Sequence, residues 1–423
     1  MVRSIRFCIS AFERERNVVC FCREVVLLRR GKWEIGIAVC SFVVCLVSMT
    51  VMLAVDPRES VSRSERRRLA EKPELTWESL ADKSFMDDTE KYLLDHFPFR
   101  DGLRRIKAYF AYDVLRQKEN NDIYVVQDHA AKLEYPLNES SVRRLAAKMT
   151  GLWRQYFPEQ DVWYAVVPDK NYFLAGQNGY PSIDYEHMIR LLSQELAKNA
   201  EFGYIDIVSD LSIEDYYNTD THWRQERILD VAHHIADAMG VGGSLNFSRG
   251  EDTGFVEHEI RDFYGVYYGQ AALPMAPDTI VYLTDEVTDT AVVWSLEENM
   301  LSGQDAGKAR LPGEAGAVLK PVYQLDKLDD GKSLDKYDVF AGGASSLQVI
   351  MSPDAVTDRR LIIFRDSYTS SLVPLLLGAY REITLVDLRY IDSARIGEYV
   401  DFAGADILFL YNTVIVNHAE MLK

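Results

Sequence analysis

Five short stretches constrain this chain more than any other feature: "DVWYAVVPDK", "FGYIDIV", "RRLIIFRD", "EITLVDLRYI" and "ADILFLYNT". A strand with one face in water alternates apolar and polar side chains. A mostly apolar run suits a strand buried on both faces. Helical patterns separate these runs. "SSVRRLAAKMTGLWRQYF" reads as an amphipathic helix opening on serine caps, and "YEHMIRLLSQELAKN" as another. "RQERILDVAHHIADAMG" reads as a third, with Gly240 closing it. "SYTSSLVPLLLGAY" follows its strand directly as a helix, and a short helix is expected around Ile396. This alternation predicts an α/β fold, a parallel sheet covered by helices on both faces. Ligands on such sheets bind beyond the carboxyl ends of the strands, so residues closing the strands are the candidates for chemistry. From about 241 to 355 the rhythm lapses, and "DFYGVYYGQ" and "TIVYLTDE" read as short strands of an insertion.

The run "IGIAVCSFVVCLVSMTVMLAV", Ile35 to Val55, carries no charge. It has about the 20 residues needed to cross the hydrocarbon of a bilayer. It has no polar face, which argues against a core helix. A cleaved signal peptide is the competing reading, but the run is long for one and ends "MLAVDP" without a small-x-small site. Residues 1–33 hold eight Lys/Arg against three Glu, or +5, so the remainder of the net −18 is −23. The basic flank predicts a cytoplasmic N-terminus, an anchor over 34–55 and an exported body at the cell membrane. An acidic body argues against nucleic acid as a partner. All five cysteines precede Val55, so the exported part uses neither disulfides nor thiolate metal sites. Residues 56–84 read as a charged stalk. In 85–109, Phe85, Tyr92, Leu93, Phe97, Leu103, Ile106 and Tyr109 form the expected buried side of two helices parted by Pro98. The body would then run from 85 to 423.

Ser367 directly follows the run "LIIFRD" and precedes a helix. A serine there projects at the strand's carboxyl end, and a helix N-terminus offers N–H groups to a developing oxyanion. Serine alone is a poor nucleophile and needs a base. "YYNTDTHWRQE" supplies a histidine, His222, two residues after Asp220, in a loop expected on the same sheet edge. In an extended segment both side chains point the same way, so Asp220 is placed to hold the imidazole's other nitrogen. The bland alternatives are that Thr219, Asp220 or Thr221 caps the next helix and that Ser367, with Asp366, caps its own. Of the other histidines, His233 and His234 fall mid-helix and the rest have no comparable setting. A third metal ligand at recognisable spacing is missing, so no metal is expected. Asn412, closing the last strand, is a candidate oxyanion donor or an ordinary turn residue. Lys170 and Asn171 close another strand and either line the site or sit on the surface. Tyr264, Tyr267 and Tyr268 are candidates to stack on sugar, or plain strand aromatics.

The order Ser367, strand, strand, Asn412, with the separate Asp220/His222 pair, resembles an SGNH hydrolase cut and rejoined. Strands that usually follow the asparagine here precede the serine, a flavodoxin-like sheet with circularly permuted strand order. "TDTHW" with "IIFRDSYTSSLVPLLLGAYREITLVDLRYI" resembles more closely the DHHW family, related to the alginate O-acetylation proteins. The similarity extends over roughly residues 60–423. Thr221 stands at the motif's second position, and Arg365 stands where SGNH enzymes have glycine, leaving Arg365 a candidate for the oxyanion or substrate side. "VDLRY" occupies the second SGNH block without a glycine. The resemblance implies an O-acyl, specifically acetyl, transferase using Ser367, His222 and Asp220. It also implies a cell-envelope or secreted polysaccharide as acceptor, a membrane-bound O-acyltransferase as donor partner, and no cofactor. An esterase with the same triad, or a silent carbohydrate-binding scaffold of an acetylation complex, remains open on these residues.

Overall fold

The computed structural model describes residues 33, 35–53, 60–62, 64–199, 201–248, 253–301, 308–328 and 333–423. The basic segment 1–32 with Cys8, Cys20 and Cys22, and part of the expected stalk, lie outside them. The chain divides into two compact units, one within Met1–Ser62 and Arg68–Leu103, the other within Arg63–Arg67 and Arg104–Lys423.

In the first unit, the helix Ile35–Leu53 is long and apolar enough to cross a membrane, and none of it is buried. The helix Trp77–Ala81 begins at Thr76, whose hydroxyl accepts from the Ser79 N–H while Ser79 reciprocates. Helix Ser84–Asp95 lies in this unit and helix Arg100–Tyr109 begins in it, its residues from Arg104 on belonging to the second, and the two part around Pro98 as expected. Their inward face is not as expected. Tyr92 is buried and Phe85 half-buried, whereas Leu93, Phe97, Leu103, Ile106 and Tyr109 are exposed. Periodicity identifies an apolar side of a helix, but it does not supply a surface to cover it.

The second unit is built on an eight-stranded sheet: β1 (Val162–Val167), β2 (Gly203–Ile205), β3 (Val292–Ser295), β4 (Lys320–Pro321), β5 (Leu347–Met351), β6 (Arg360–Arg365), β7 (Glu382–Val386) and β8 (Asp406–Asn412). Its order is β4-β3-β5-β7-β6-β8-β1-β2. The five strands from β7 to β2 are parallel. The remaining β5, β3 and β4 add antiparallel. Thus the segment expected to be an insertion lends three strands to the main sheet. Within that segment the hairpin Val256–Phe263/Asp278–Thr284 stands apart from the main sheet, as does the hairpin Ile123–Val126/His129–Lys132 before it.

The apolar runs are apolar because both faces are covered. Leu361 and Ile363 of β6 enter one core with helix Leu229–Ala238, while Ile362 and Phe364 enter the other with helices Glu139–Tyr156 and Tyr185–Ala197. Each fully buried Leu, Ile or Phe contributes roughly 1.5–3 kcal/mol, so a charge on either face would be costly. The helix Glu139–Tyr156 is capped by Asn138 rather than by a serine. Asp184 caps Tyr185–Ala197, and Gly240 follows Leu229–Ala238 at φ 72°.

The sheet extends from β6 in two directions, to β7 on one side and to β8, β1 and β2 on the other. β1 and β2 precede β6 in sequence, and β7 and β8 follow it. Ser367 lies just past its end, where the strand order reverses.

Candidate functional site

The turn after β6 is held from below by Asp366. One of its carboxylate oxygens accepts from the Tyr368 N–H at 3.0 Å, the other from the Asn412 N–H at the end of β8 at 2.6 Å. The helix that follows, Thr369–Leu372, is four residues long and tightens at once into a 3₁₀ turn, so its dipole is smaller than the sequence suggested. Neither Ser367 nor Asp366 caps that helix with its side chain. The half-buried Ser367 hydroxyl instead meets His222 Nε2 at 2.8 Å.

The histidine comes from a loop that folds on itself. Tyr216 bridges Trp223, and the Tyr217 N–H reaches the His222 carbonyl. Asp220 Oδ1 accepts from the His222 backbone N–H at 3.1 Å and lies 2.5 Å from Nδ1. Asp220 therefore turns the backbone and orients the ring together, and the residues 219–221 cap no helix. The next helix begins only at Leu229, after a 3₁₀ turn at Gln225–Arg227, and has no side-chain cap. The outer oxygen of Asp220 accepts from the Val266 N–H at 2.8 Å and from Arg66 at 3.0 Å. Burial opposes charge on Asp220, but His222, Arg66 and the Val266 N–H outweigh it and hold the carboxyl well below the usual range. The imidazole lies flat against Tyr337, centroids 4.0 Å apart.

The loop is fastened on every side. Lys170 is buried and aims its ammonium at the carbonyls of Tyr217, Asn218 and Asp220, at 2.7, 3.0 and 3.1 Å. Burial pushes it down to about 7, against the pull of Asp278 and Asp220. Asp278, on the hairpin, accepts from the backbone of Asn218 and Thr219 and from the Thr219 hydroxyl. Thr221, the second motif position, receives the Tyr267 hydroxyl, and the Tyr368 hydroxyl donates to its carbonyl. Trp223 donates to the Tyr368 carbonyl and the Ser371 hydroxyl, stapling the loop to the turn that carries Ser367.

Of the residues singled out in the sequence, Ser367, His222 and Asp220 come together as one hydrogen-bonded chain. The others are placed differently. Arg365 is a buried cation that donates to Gln348, Ser370 and the Gly343 carbonyl, so it lines the interior and not a substrate surface. Lys170 and Asn171 are buried rather than superficial. Asn412 uses its amide oxygen to cap Val414 and one amide N–H on the Val167 carbonyl. Tyr267 and Tyr268 lie on a short helix, Val266–Ala271, not a strand. Tyr267 is buried beside Lys170, and Tyr264 is exposed. Among the described residues no group of three His, Cys, Asp or Glu gathers to hold a metal.

A DHHW family protein from Eubacterium siraeum superposes with a TM-score of 0.54 at 20% identity, over 72% of this chain and 95% of its own. The chain has the DHHW protein fold. Bacillus cereus PatB1, solved with a sulfonyl adduct, aligns at TM-score 0.49 and 14% identity, over 70% of this chain and 94% of its own. The O-acetyltransferase domain of Pseudomonas putida AlgJ aligns at 0.41 and 11%, over 70% and 92%. No family model and no curated protein matches the sequence.

Sequence reasoning missed four supports of this site: Arg66, Gly265, Asp278 and Tyr337. Gly265 is needed for close approach, since a Cβ there would stand 2.3 Å from that of Asp220. The glycine inside "FYGVYYG" was the one visible sign of it.

Proposed function

We propose that this protein is a membrane-anchored, extracytoplasmic O-acyltransferase that moves acetyl onto a cell-envelope or secreted polysaccharide. The observation that carries the reading is the chain Asp220–His222–Ser367, with 2.5 and 2.8 Å between its members. His222 Nε2 takes the serine proton as Oγ attacks the acyl carbonyl, and Asp220 stabilises the imidazolium that forms. The Ser367 N–H is the expected donor for the oxyanion, and the second amide hydrogen of Asn412 is a candidate to join it. The donor's leaving group departs with the proton held by His222. A sugar hydroxyl then gives its proton to His222 as its oxygen attacks the acyl-serine, and His222 returns that proton to Ser367 Oγ as the bond to the acyl carbon breaks, releasing the sugar ester.

Transfer rather than hydrolysis is supported by the resemblance of "TDTHW" and "RDSY" to proteins of alginate O-acetylation. The apolar helix Ile35–Leu53 supports a place at the bilayer, where a membrane-bound O-acyltransferase would hand over the acyl group. The test is mass spectrometry of envelope oligosaccharides incubated with the protein and an activated acetyl donor. Acetylated sugar, absent with Ser367→Ala, is the expected result. Fast ester hydrolysis with no acetylated sugar would make the protein an esterase, and no acylation of Ser367 at all would make it a scaffold.

A further inference from the structure

A guanidinium from outside the expected domain takes part in the site. Arg66 comes from "SRSERRRL", close behind the apolar helix in sequence and within the stretch read as a stalk. Its side chain is buried, and NH1 donates to Asp220 Oδ2 at 3.0 Å and to the Tyr264 carbonyl at 3.3 Å. NH2 pairs with Asp335, and the guanidinium lies over the Phe263 ring. Asp335 in turn accepts from the Tyr337 N–H at 2.8 Å, starting the turn that lays Tyr337 on the His222 ring. One guanidinium thus joins the two groups that hold the imidazole, the acid at its edge and the aromatic at its face.

The neighbouring residues are seated to keep it there. Glu65 pairs with Arg104 at 3.2 Å, and Arg104 also donates to the Gly269 carbonyl at 2.6 Å. A Cβ on Gly269 would stand 2.2 Å from the Ser64 carbonyl oxygen, so the helix Val266–Ala271 has a side-chain-free spot where the backbone of this segment crosses it. Arg66 itself adopts φ 55°, a left-handed conformation that a non-glycine residue adopts only when its surroundings compel it.

We propose that residues 64–66 form a strap whose Arg66 positions Asp220 and Tyr337, and through them His222, so that the segment leading from the apolar helix is required for the site to work. The proposal rests on the acyl chemistry assigned above to Ser367. Arg66 does not touch the reacting atoms; it is a positioning residue. It acts on Asp220, and the ionisable groups facing the imidazole are Asp220, Tyr337, Tyr368 and Asp338. Removing the cation leaves Asp220 with less competition for the imidazolium, which favours the protonated ring.

The experiment is the pH dependence of Ser367 labelling by a fluorophosphonate, using the full chain in detergent micelles. Arg66→Gln should label about ten- to a hundredfold more slowly, the range that small misplacements of catalytic groups produce. Its acid limb should move to higher pH. Arg66→Lys keeps the charge and should restore the acid limb and part of the rate. Gly269→Ala, which pushes at the strap without touching the guanidinium, should shift rate and limb in the same sense as Arg66→Gln, and it decides the matter if Arg66→Gln fails to fold. A merely stabilising role would reduce the active fraction without moving the limb. Folded variants with wild-type rate and limb overturn the strap alone. A wild-type protein that labels no better than Ser367→Ala overturns the acyl chemistry, and the strap's role with it.

Discussion

Asp220 accepts four hydrogen bonds, from the His222 backbone and ring, Val266 and Arg66, and so fills both oxygens while buried. A carboxylate so satisfied is a fixed hydrogen-bond acceptor that selects one imidazole tautomer. Ser367→Ala and His222→Ala should each remove nearly all turnover of an activated acetyl ester. Asp220→Asn should reduce it by about 10⁴-fold through the wrong tautomer. Double variants should be no worse than the worst single one, because the three act as a unit; a folded Ser367→Ala protein that keeps its rate would require another nucleophile. Lys170 makes a prediction about stability. It loses its proton near pH 7 when folded but near 10.5 when unfolded, so between these values the unfolded chain binds the extra proton and stability rises with pH. Denaturant midpoints of the wild type and Lys170→Met should therefore draw apart in favour of the wild type from pH 7 to 10. A constant gap would show that the ammonium stays charged throughout.

At the scale of elements, the site is a meeting of three pieces: the turn after β6, the loop after β2, and the segment Phe263–Val266 that closes against Asp220. The third comes from the stretch that breaks the α/β rhythm, and its contribution is a backbone N–H and the absence of a side chain. Gly265→Ala tests it. A methyl in a contact this close should cost about 1–3 kcal/mol and move the Asp220 carboxylate. Both the thermal midpoint and turnover should fall, with KM for a small ester little changed. Unaltered turnover would mean that the segment supports the loop without orienting it. The elements around the site were legible in part. Ser367 could be placed at a strand end, and His222 in a loop beyond one, because the apolar runs mark where strands stop. The burial of Lys170 and Arg365 was not legible, because a strand-end position does not say whether a cation faces solvent or a ring of carbonyls.

For the whole molecule, the apolar helix and its basic flank predict an N-terminus in the cytoplasm and a body outside. A reporter that fluoresces only in cytoplasm, fused after Lys423, should stay dark in cells making full-length protein. A bright fusion would overturn both the localisation and an envelope glycan as acceptor. The permuted sheet bears on function too. Because β1 and β2 precede β6 in sequence, the loop carrying His222 is made before the turn carrying Ser367, and β8, paired with both β6 and β1, lies between the two strands.

The sequence by itself determined the parallel sheet, since runs such as "LIIFR" and "DILFLY" are tolerated only where both faces are buried. It determined the apolar helix by length and lack of charge, and it marked the serine by its place at a strand end and the Asp220/His222 pair by its spacing in a loop. Only the tertiary structure decided what holds them. Arg66 is one basic residue among many in "SRSERRRL", and nothing local distinguishes the one that reaches a carboxylate 154 positions away. Tyr337 and Asp278 likewise act across the fold. The burial of Lys170 and Arg365, and the exposure of Leu103 and Ile106, depend on what packs against them. Periodicity and strand ends are properties of neighbouring residues in the chain, whereas an ion pair or a covered face is a property of residues brought together from far apart.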